Sequence, residues 1–180
     1  MNLIFDTHAH YDDEAFDADR EALLSSMPEN GVGLIVDPGC DLDTSRRAVE
    51  IAEQYPHVYA AVGWHPEEAD SWTDSSLAHI RALAAQPKVC AIGEIGLDYY
   101  WEENPPREFQ QQVFRAQLAL ARELDLPVIV HDREAHGDSL AIDIETVGVV
   151  PVGQVVEEVA HAAAHIKNHF RGSWLQYIDH

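Results

Sequence analysis

Short apolar runs rich in β-branched residues alternate with longer amphipathic segments along this chain, and this alternation limits the fold more than any other property. We predict strands at Asn2–Asp6, Gly33–Asp37, Val58–Gly63, Val89–Gly93 and Pro127–His131. Helices are predicted between them at Asp19–Glu29, Thr44–Tyr55, Ser75–Ala85 and Arg107–Leu124. Because consecutive parallel strands need a crossover, usually a helix, the pattern predicts βαβ units and an α/β fold with a parallel sheet.

A His-x-His pair follows the first predicted strand. His8 and His10 lie two positions apart at its end, so both imidazoles can point to one face and converge on one ion. Neutral imidazole is a common ligand of zinc and other divalent transition metals. Two nearby histidines also occur in ordinary loops, so the pair by itself is weak evidence for a metal site.

Three further predicted strands end in side chains that can bind a metal. His65 follows the third strand, Glu94 follows the fourth, and His131 ends the fifth. Parallel strands of one sheet have their carboxyl ends at the same edge, which is where α/β barrels build active sites. We therefore expect these residues to meet His8 and His10 at one face of the sheet.

Each of these residues also has a purely structural interpretation. His65 precedes a proline and could shape a turn, although contact with a substrate is favoured over metal ligation. Glu94 lies in an apolar run, where a carboxylate is costly unless it is paired or bound to a metal. His131 could be a hydrogen-bonded core histidine. Asp98 and Arg133 could form an ion pair or position a substrate phosphate, which the planar guanidinium suits.

The charge of the chain limits its partners. Eleven Lys and Arg against 32 Asp and Glu give a formal net charge of −21. This charge does not fit a module that binds nucleic acid through a broad basic surface. It does not exclude a hydrolase whose bound cations neutralise a phosphate locally.

Composition also predicts a location. No apolar run approaches the ~20 residues that a membrane span needs, and no signal-peptide core is seen at the N-terminus. The two cysteines, Cys40 and Cys90, are too few for a disulfide framework, and free thiols are favoured over a pairing. We expect a cytoplasmic protein.

Four motifs occur in a defined order along residues 1–140. They are Asp6-Thr7-His8-Ala9-His10, Gly63-Trp64-His65-Pro66, Gly93-Glu94-Ile95-Gly96-Leu97-Asp98-Tyr99-Tyr100 and His131-Asp132-Arg133-Glu134-Ala135. In order and spacing they resemble the motifs of the TatD-like deoxyribonucleases, which are metal-dependent hydrolases with a TIM-barrel fold. The resemblance implies a divalent-metal nuclease that acts on DNA.

The resemblance also implies a site with two divalent ions (Mg²⁺, Mn²⁺ or Zn²⁺). His8 and His10 would hold one ion, His131 would hold the other, and Glu94 would bridge them and take part in catalysis. The residues expected to bind substrate are His65, Asp98 and Arg133. Two such ions can clamp a phosphodiester and lower the pKa of a bound water.

The chain is shorter than the fold that it resembles. A full barrel of eight β/α units takes about 250 residues, whereas this chain has 180 and departs from the family pattern after about residue 140. We expect five to six units: an N-terminal barrel part at residues 1–140, and a divergent tail at 141–180 in the same domain. The tail would hold a sixth strand at Val147–Val152 and a helix from about Gly153 to Phe170.

Two consequences follow for the tail and the function. An unclosed barrel exposes strand edges, so self-association could cover it. His161, His165 and His169 recur every four residues and could bind a metal, although such a row is more often a solvated helix face.

The chain is therefore either an active or impaired nuclease, or a non-catalytic barrel remnant that acts as a binding or assembly partner. A weaker alternative is an amide or lactone hydrolase.

Overall fold

In the part of the chain that the structure describes, six parallel strands form one sheet in which every strand lies beside its neighbour in sequence. This is a computed structural model, and it describes residues 3–147 and 175–179. The strands are β1 Ile4–Asp6, β2 Val32–Pro38, β3 Val58–Val62, β4 Val89–Asp98, β5 Val128–Arg133 and β6 Leu175–Asp179. The helices are α1 Arg20–Ser26, α2 Leu42–Gln54, α3 Ser76–Ala84, α4 Arg107–Leu124 and α5 His136–Val147. The predicted parallel α/β fold of incomplete barrel type is confirmed.

The structure describes only Val147 of the predicted sixth strand, Val147–Val152. Val147 ends helix α5, and the described sixth strand is Leu175–Asp179, parallel to β5. A short apolar run can belong to a strand or to a buried helix face, and here Ser139 and Ile142 are buried on one side of α5. Residues 148–152, the helix predicted from Gly153 to Phe170, and the three tail histidines lie outside the described residues.

Both faces of the sheet are apolar. Neighbouring residues of one strand, such as Ile35 and Val36, or Ile129 and Val130, belong to two separate buried clusters. Burial on both faces is typical of parallel sheets that are covered by helices. The larger cluster includes Val113 and Leu120 of α4, as the helical spacing predicts.

Two buried glutamines of helix α4 form hydrogen bonds with the backbone of two other segments. The side chain of Gln117 accepts a hydrogen bond from the Trp64 amide (2.7 Å) and donates one to the Trp64 carbonyl (3.0 Å). Gln110 does the same for Asp98, with distances of 2.9 Å from the amide and 3.0 Å to the carbonyl. These bonds fix the backbone where β4 ends and where the chain leaves β3.

Within the described residues, no helix combines the length and the hydropathy that crossing a membrane requires. Cys40 and Cys90 are free thiols, as expected. The cytoplasmic location stays a prediction.

Candidate metal centre

Glu94 lies in the middle of four histidines. Its Oε2 is 3.2 Å from His8 Nε2 and 3.4 Å from His10 Nε2. Its Oε1 is 2.9 Å from His131 Nδ1 and 3.8 Å from His65 Nε2. One buried carboxylate thus faces a different pair of histidines with each oxygen. The five residues meet as predicted, although Glu94 lies within β4, which continues past the predicted end at Gly93 to Asp98.

The close approach of β4 to β5 depends on a glycine. Gly96 is in register with His131 and has φ +151°, and a Cβ at this position would collide with the carbonyl oxygen of His131. Only glycine avoids this collision. The same approach brings the side chain of His131 against Glu94.

The first candidate ligand group consists of His8, His10 and Glu94. The Nε2 atoms of the two histidines are 3.0 Å apart, and the buried Nδ1 of His8 has no hydrogen-bond partner. Burial lowers the pKa of His10, but hydrogen bonds with Asp12 and Glu94 outweigh burial and raise the pKa to about 10. Two imidazole nitrogens and a carboxylate oxygen are a donor set that suits a divalent transition metal, so these residues fit one ion.

The second candidate group consists of His65, Glu94 and His131, all buried. His131 lies between two carboxylates, with Nε2 2.9 Å from Asp98 Oδ2 and Nδ1 2.9 Å from Glu94 Oε1. Burial lowers the pKa of His131, yet both carboxylates raise it, and the net shift is upward. A carboxylate on one ring nitrogen orients the other nitrogen toward a metal in many metal sites.

The hydrogen-bond partner of His65 determines which of its ring nitrogens carries the hydrogen. Its Nδ1 accepts a hydrogen bond from the Glu67 amide at 3.2 Å, which leaves Nε2 to carry the hydrogen in the neutral ring. Burial lowers the pKa of His65 to about 4, so the ring is neutral near pH 7. Its Nε2–H therefore faces the centre as a hydrogen-bond donor.

Asp98 is fully buried, and both of its carboxylate oxygens are engaged. Oδ2 contacts His131, and Oδ1 accepts a hydrogen bond from the Tyr100 amide at 3.0 Å. Arg133 lies at the rim with Nη1 3.9 Å from Asp98 Oδ2. Asp98 thus connects the centre to Arg133 and to the loop after β4.

The carboxyl of Glu94 is buried, yet its contacts with histidines favour the ionised form. Burial alone would raise the pKa of this carboxyl, but hydrogen bonds from His10, His131 and His8 outweigh it and lower the pKa. The carboxylate is therefore ionised near pH 7. An ionised, two-sided carboxylate is suited to lie between two cations.

Two buried carboxylates beside His10 were missed by the sequence analysis. Asp12 and Asp37 form a third group with His10, in which Asp12 Oδ1 lies 3.7 Å from His10 Nδ1 and neither oxygen of Asp37 has a hydrogen-bond partner. Burial, and then the neighbouring Asp12, raise the pKa of Asp37 to about 8. The position of Asp37 could have identified it, because it lies near the end of β2, at the edge of the sheet that carries the other site residues.

The family model for TatD related DNases matches residues 5–171, past the point at which the motif resemblance ended. The uncharacterized metal-dependent hydrolase YabD of Bacillus subtilis (strain 168) is 42% identical over 171 residues, 95% of this chain and 62% of that protein. The 3'-5' ssDNA/RNA exonuclease TatD of Musicola paradisiaca (strain Ech703) is 40% identical over 134 residues, 74% of this chain and 50% of that protein.

A solved structure agrees with these matches. The crystal structure of YJJV, a TatD homolog from Escherichia coli K12, superposes with a TM-score of 0.71 at 35% identity, covering 88% of this chain and 65% of that one. The chain thus spans half to two thirds of the length of these three proteins. Sequence and fold together show that the chain belongs to the TatD related DNase family.

Proposed function

We propose that this chain carries a two-metal centre that hydrolyses phosphodiester bonds of single-stranded DNA. The observation that carries the proposal is Glu94, whose two oxygens each face a different pair of histidines. A relative named as an ssDNA/RNA exonuclease and another named as a metal-dependent hydrolase support the substrate class and the need for metal.

His8 and His10 would hold one divalent cation, His131 would hold the other, and Glu94 would be shared. Cations held by these residues would clamp the phosphodiester, lower the pKa of a bound water and stabilise the leaving oxygen. The imidazole-rich donor set favours Zn²⁺ over Mg²⁺, which prefers oxygen ligands. Glu94 would be the catalytic residue of the proposal because it would contact both cations.

Three other residues would act on the substrate or on a ligand. The Nε2–H of His65 points into the centre and would donate a hydrogen bond to a phosphate oxygen. Arg133 is partly exposed at the rim and would contact a second phosphate oxygen. Asp98 is buried with both oxygens engaged, so we assign it the positioning of His131 in place of the direct substrate contact expected from the sequence.

Metal-dependent cleavage of DNA tests the proposal. The purified chain would be incubated with an end-labelled single-stranded oligonucleotide and Mg²⁺, Mn²⁺ or Zn²⁺. Cleavage should require the ion, stop with a chelator, and be lost in the double variant His8→Ala/His10→Ala. A matched control is His79→Ala, which removes an exposed histidine of α3 and should leave cleavage unchanged.

Other outcomes would select another function. A folded, metal-loaded chain that leaves DNA intact would contradict the proposal and favour a barrel remnant that serves as a binding or assembly partner. Cleavage of an amide or lactone panel in place of DNA would favour the third alternative. Cleavage that persists in the double variant would show that the histidine pair is not part of the reacting centre.

We also propose that copies of the chain associate, and that each copy forms a single domain. Leu3 and Ile4, which precede and begin the edge strand β1, are 63% and 61% exposed, and an apolar strand edge invites pairing with another chain. Helix α5 runs across residues 140 and 141, which supports one domain without a boundary there. Analytical ultracentrifugation should show a dimer or larger species, and a strictly monomeric chain would contradict the association.

A further inference from the structure

Tyr100 and Trp101 present two large aromatic side chains to solvent directly after β4. They are 52% and 44% exposed, and their rings contact edge to face with centroids 4.6 Å apart. Among the described residues, these are the exposed large aromatic side chains. The other large exposed apolar residues are aliphatic and lie elsewhere along the chain.

The aromatic pair is fixed relative to the metal centre by one carboxylate. Asp98 binds His131 through Oδ2 at 2.9 Å and the amide of Tyr100 through Oδ1 at 3.0 Å. Asn104 closes the loop, because its side chain donates to the Asp98 carbonyl at 3.3 Å and its amide donates to the Trp101 carbonyl at 3.3 Å. These bonds fix the backbone of Tyr100 and Trp101 relative to Asp98, which contacts the candidate ligand His131.

Arg133 places a cation over the same surface. Its guanidinium carbon lies 5.6 Å from the centroid of the Tyr100 ring, and its Nη1 is 3.9 Å from Asp98 Oδ2. A cation and two exposed rings at the rim of a phosphodiester centre match the two parts of a nucleotide, which are an anionic phosphate and a flat base. Single-stranded nucleic acid is bound through such combinations of positive charge and stacking.

The charge of the chain makes stacking more important than it would be in a basic protein. At −21 overall, the surface repels a polyanion, so affinity must come from a few local contacts. Stacking of a base on an aromatic side chain needs no net charge and contributes about 1–3 kcal/mol per base.

We propose that Tyr100 and Trp101 form a stacking platform for an unpaired nucleobase next to the phosphodiester that reaches the metal centre. The proposal rests on the proposed function, because it assigns the base of the same substrate. It predicts that the protein distinguishes a strand with bases from an otherwise identical abasic strand. Base identity should matter little, since every base offers a flat face.

The test compares the affinities of two fluorescent oligonucleotides for the purified chain by anisotropy. One is a short oligothymidylate and the other is the same length with abasic tetrahydrofuran nucleotides; both are measured with Ca²⁺ and again in chelator. The wild-type chain should bind the thymidylate about tenfold more tightly. Trp101→Ala and Tyr100→Ala should each lose most of this preference, and Trp101→Phe should keep it.

Leu140→Ala is the matched control, because Leu140 is an exposed apolar residue of α5 and its removal should leave the preference unchanged. Equal binding of both oligonucleotides by the wild-type chain, or binding of neither, overturns the platform. So does a preference that survives in both alanine variants. Cleavage is measured separately with Mn²⁺, so base-dependent binding without cleavage would support the platform while contradicting the proposed nuclease.

Discussion

The β1–β2 half of the metal centre and its β3–β5 half are built differently. In the β3–β5 half, His65 and His131 are buried, and Asp98 engages both of its oxygens. In the β1–β2 half, the side chain of His10 is 37% exposed. That half also contains His8 Nδ1 and both oxygens of Asp37, which are buried without a hydrogen-bond partner, whereas one such atom, Asp132 Oδ1, lies on β5.

This difference shows which half the chain organises without help. The β3–β5 half is fixed by hydrogen bonds from Asp98 and from the glutamines of α4, all within the chain. The β1–β2 half brings unpartnered polar atoms and two carboxylates together, and such groups are costly to bury. We expect the β3–β5 half to be preorganised and the β1–β2 half to depend on bound cations.

Removing the carboxylate shared by the two halves should have the largest effect. Glu94→Gln keeps the shape of the side chain and removes the charge that faces all four histidines. Loss of a residue that only supports a ligand costs 10–100-fold in metal affinity, so loss of this shared carboxylate should weaken binding by at least about 100-fold. Isothermal titration with Mn²⁺ or Zn²⁺ measures the affinity.

Glu108→Gln is the control for this variant, since Glu108 is exposed on α4. If Glu94→Gln lost one binding event and kept the other at full affinity, Glu94 would serve one half and the idea of a shared ligand would be wrong.

Breaking the scaffold of the β3–β5 half should lower stability. Gln117→Leu keeps the bulk of the side chain but leaves the buried amide and carbonyl of Trp64 without their partners. Each buried polar group left unpaired costs about 1–3 kcal/mol, so the free energy of unfolding should fall by about 3 kcal/mol. Urea denaturation followed by circular dichroism measures it.

The same substitution one and a half turns earlier in α4 serves as the comparison. Gln112 is exposed, and Gln112→Leu should leave the free energy of unfolding nearly unchanged. Equal losses in both variants would mean that the bonds to Trp64 contribute nothing specific.

Asp98→Asn should weaken metal binding in the β3–β5 half only. The amide oxygen can still accept from His131 Nε2, but the negative charge that holds the ring is gone. Because such outer partners contribute about 10–100-fold to metal affinity, binding at the His131 side should weaken by that factor, while binding at His8 and His10 stays. Titration with Mn²⁺ should then resolve two classes of site.

Asp70→Asn, on the exposed surface after β3, is the control for charge alone. Equal weakening of both sites by Asp98→Asn would show that the two halves are not independent. No weakening at all would remove the positioning role of Asp98.

The parts of the centre that the sequence predicted are those at strand ends. His8, His65, Glu94 and His131 each follow or end an apolar run, and parallel strands must bring such ends to one edge. The strand pattern needs only local periodicity, so β1 to β5 were found. Roles that depend on which ring nitrogen carries the hydrogen, as in His65, need the position of the Glu67 amide.

The parts that were missed depend on contacts between distant segments. Gln110 and Gln117 look like ordinary polar positions of an amphipathic helix, and only their burial against loop backbone shows their function. Strand β6 at Leu175–Asp179 was not predicted, because a short apolar run fits a helix or a strand and only its pairing with β5 identifies it. Asp37 was missed because acidic residues are common in this chain and burial cannot be read from composition.

Asp37 gives the smallest predicted effect and the most direct test of the strained half. Its two oxygens are buried without partners and lie near Asp12 and His10. Asp37→Asn keeps the shape and supplies an amide donor to Asp12. At pH 9, above the pKa of about 8, it also removes one of two neighbouring negative charges. In chelator at pH 9, the free energy of unfolding should therefore rise by about 1 kcal/mol, measured by urea denaturation. Asp74→Asn, at an exposed position before α3, should show no measurable change. A less stable Asp37→Asn protein would mean that the charge of Asp37 is compensated within the chain, and that the β1–β2 half is as preorganised as the other.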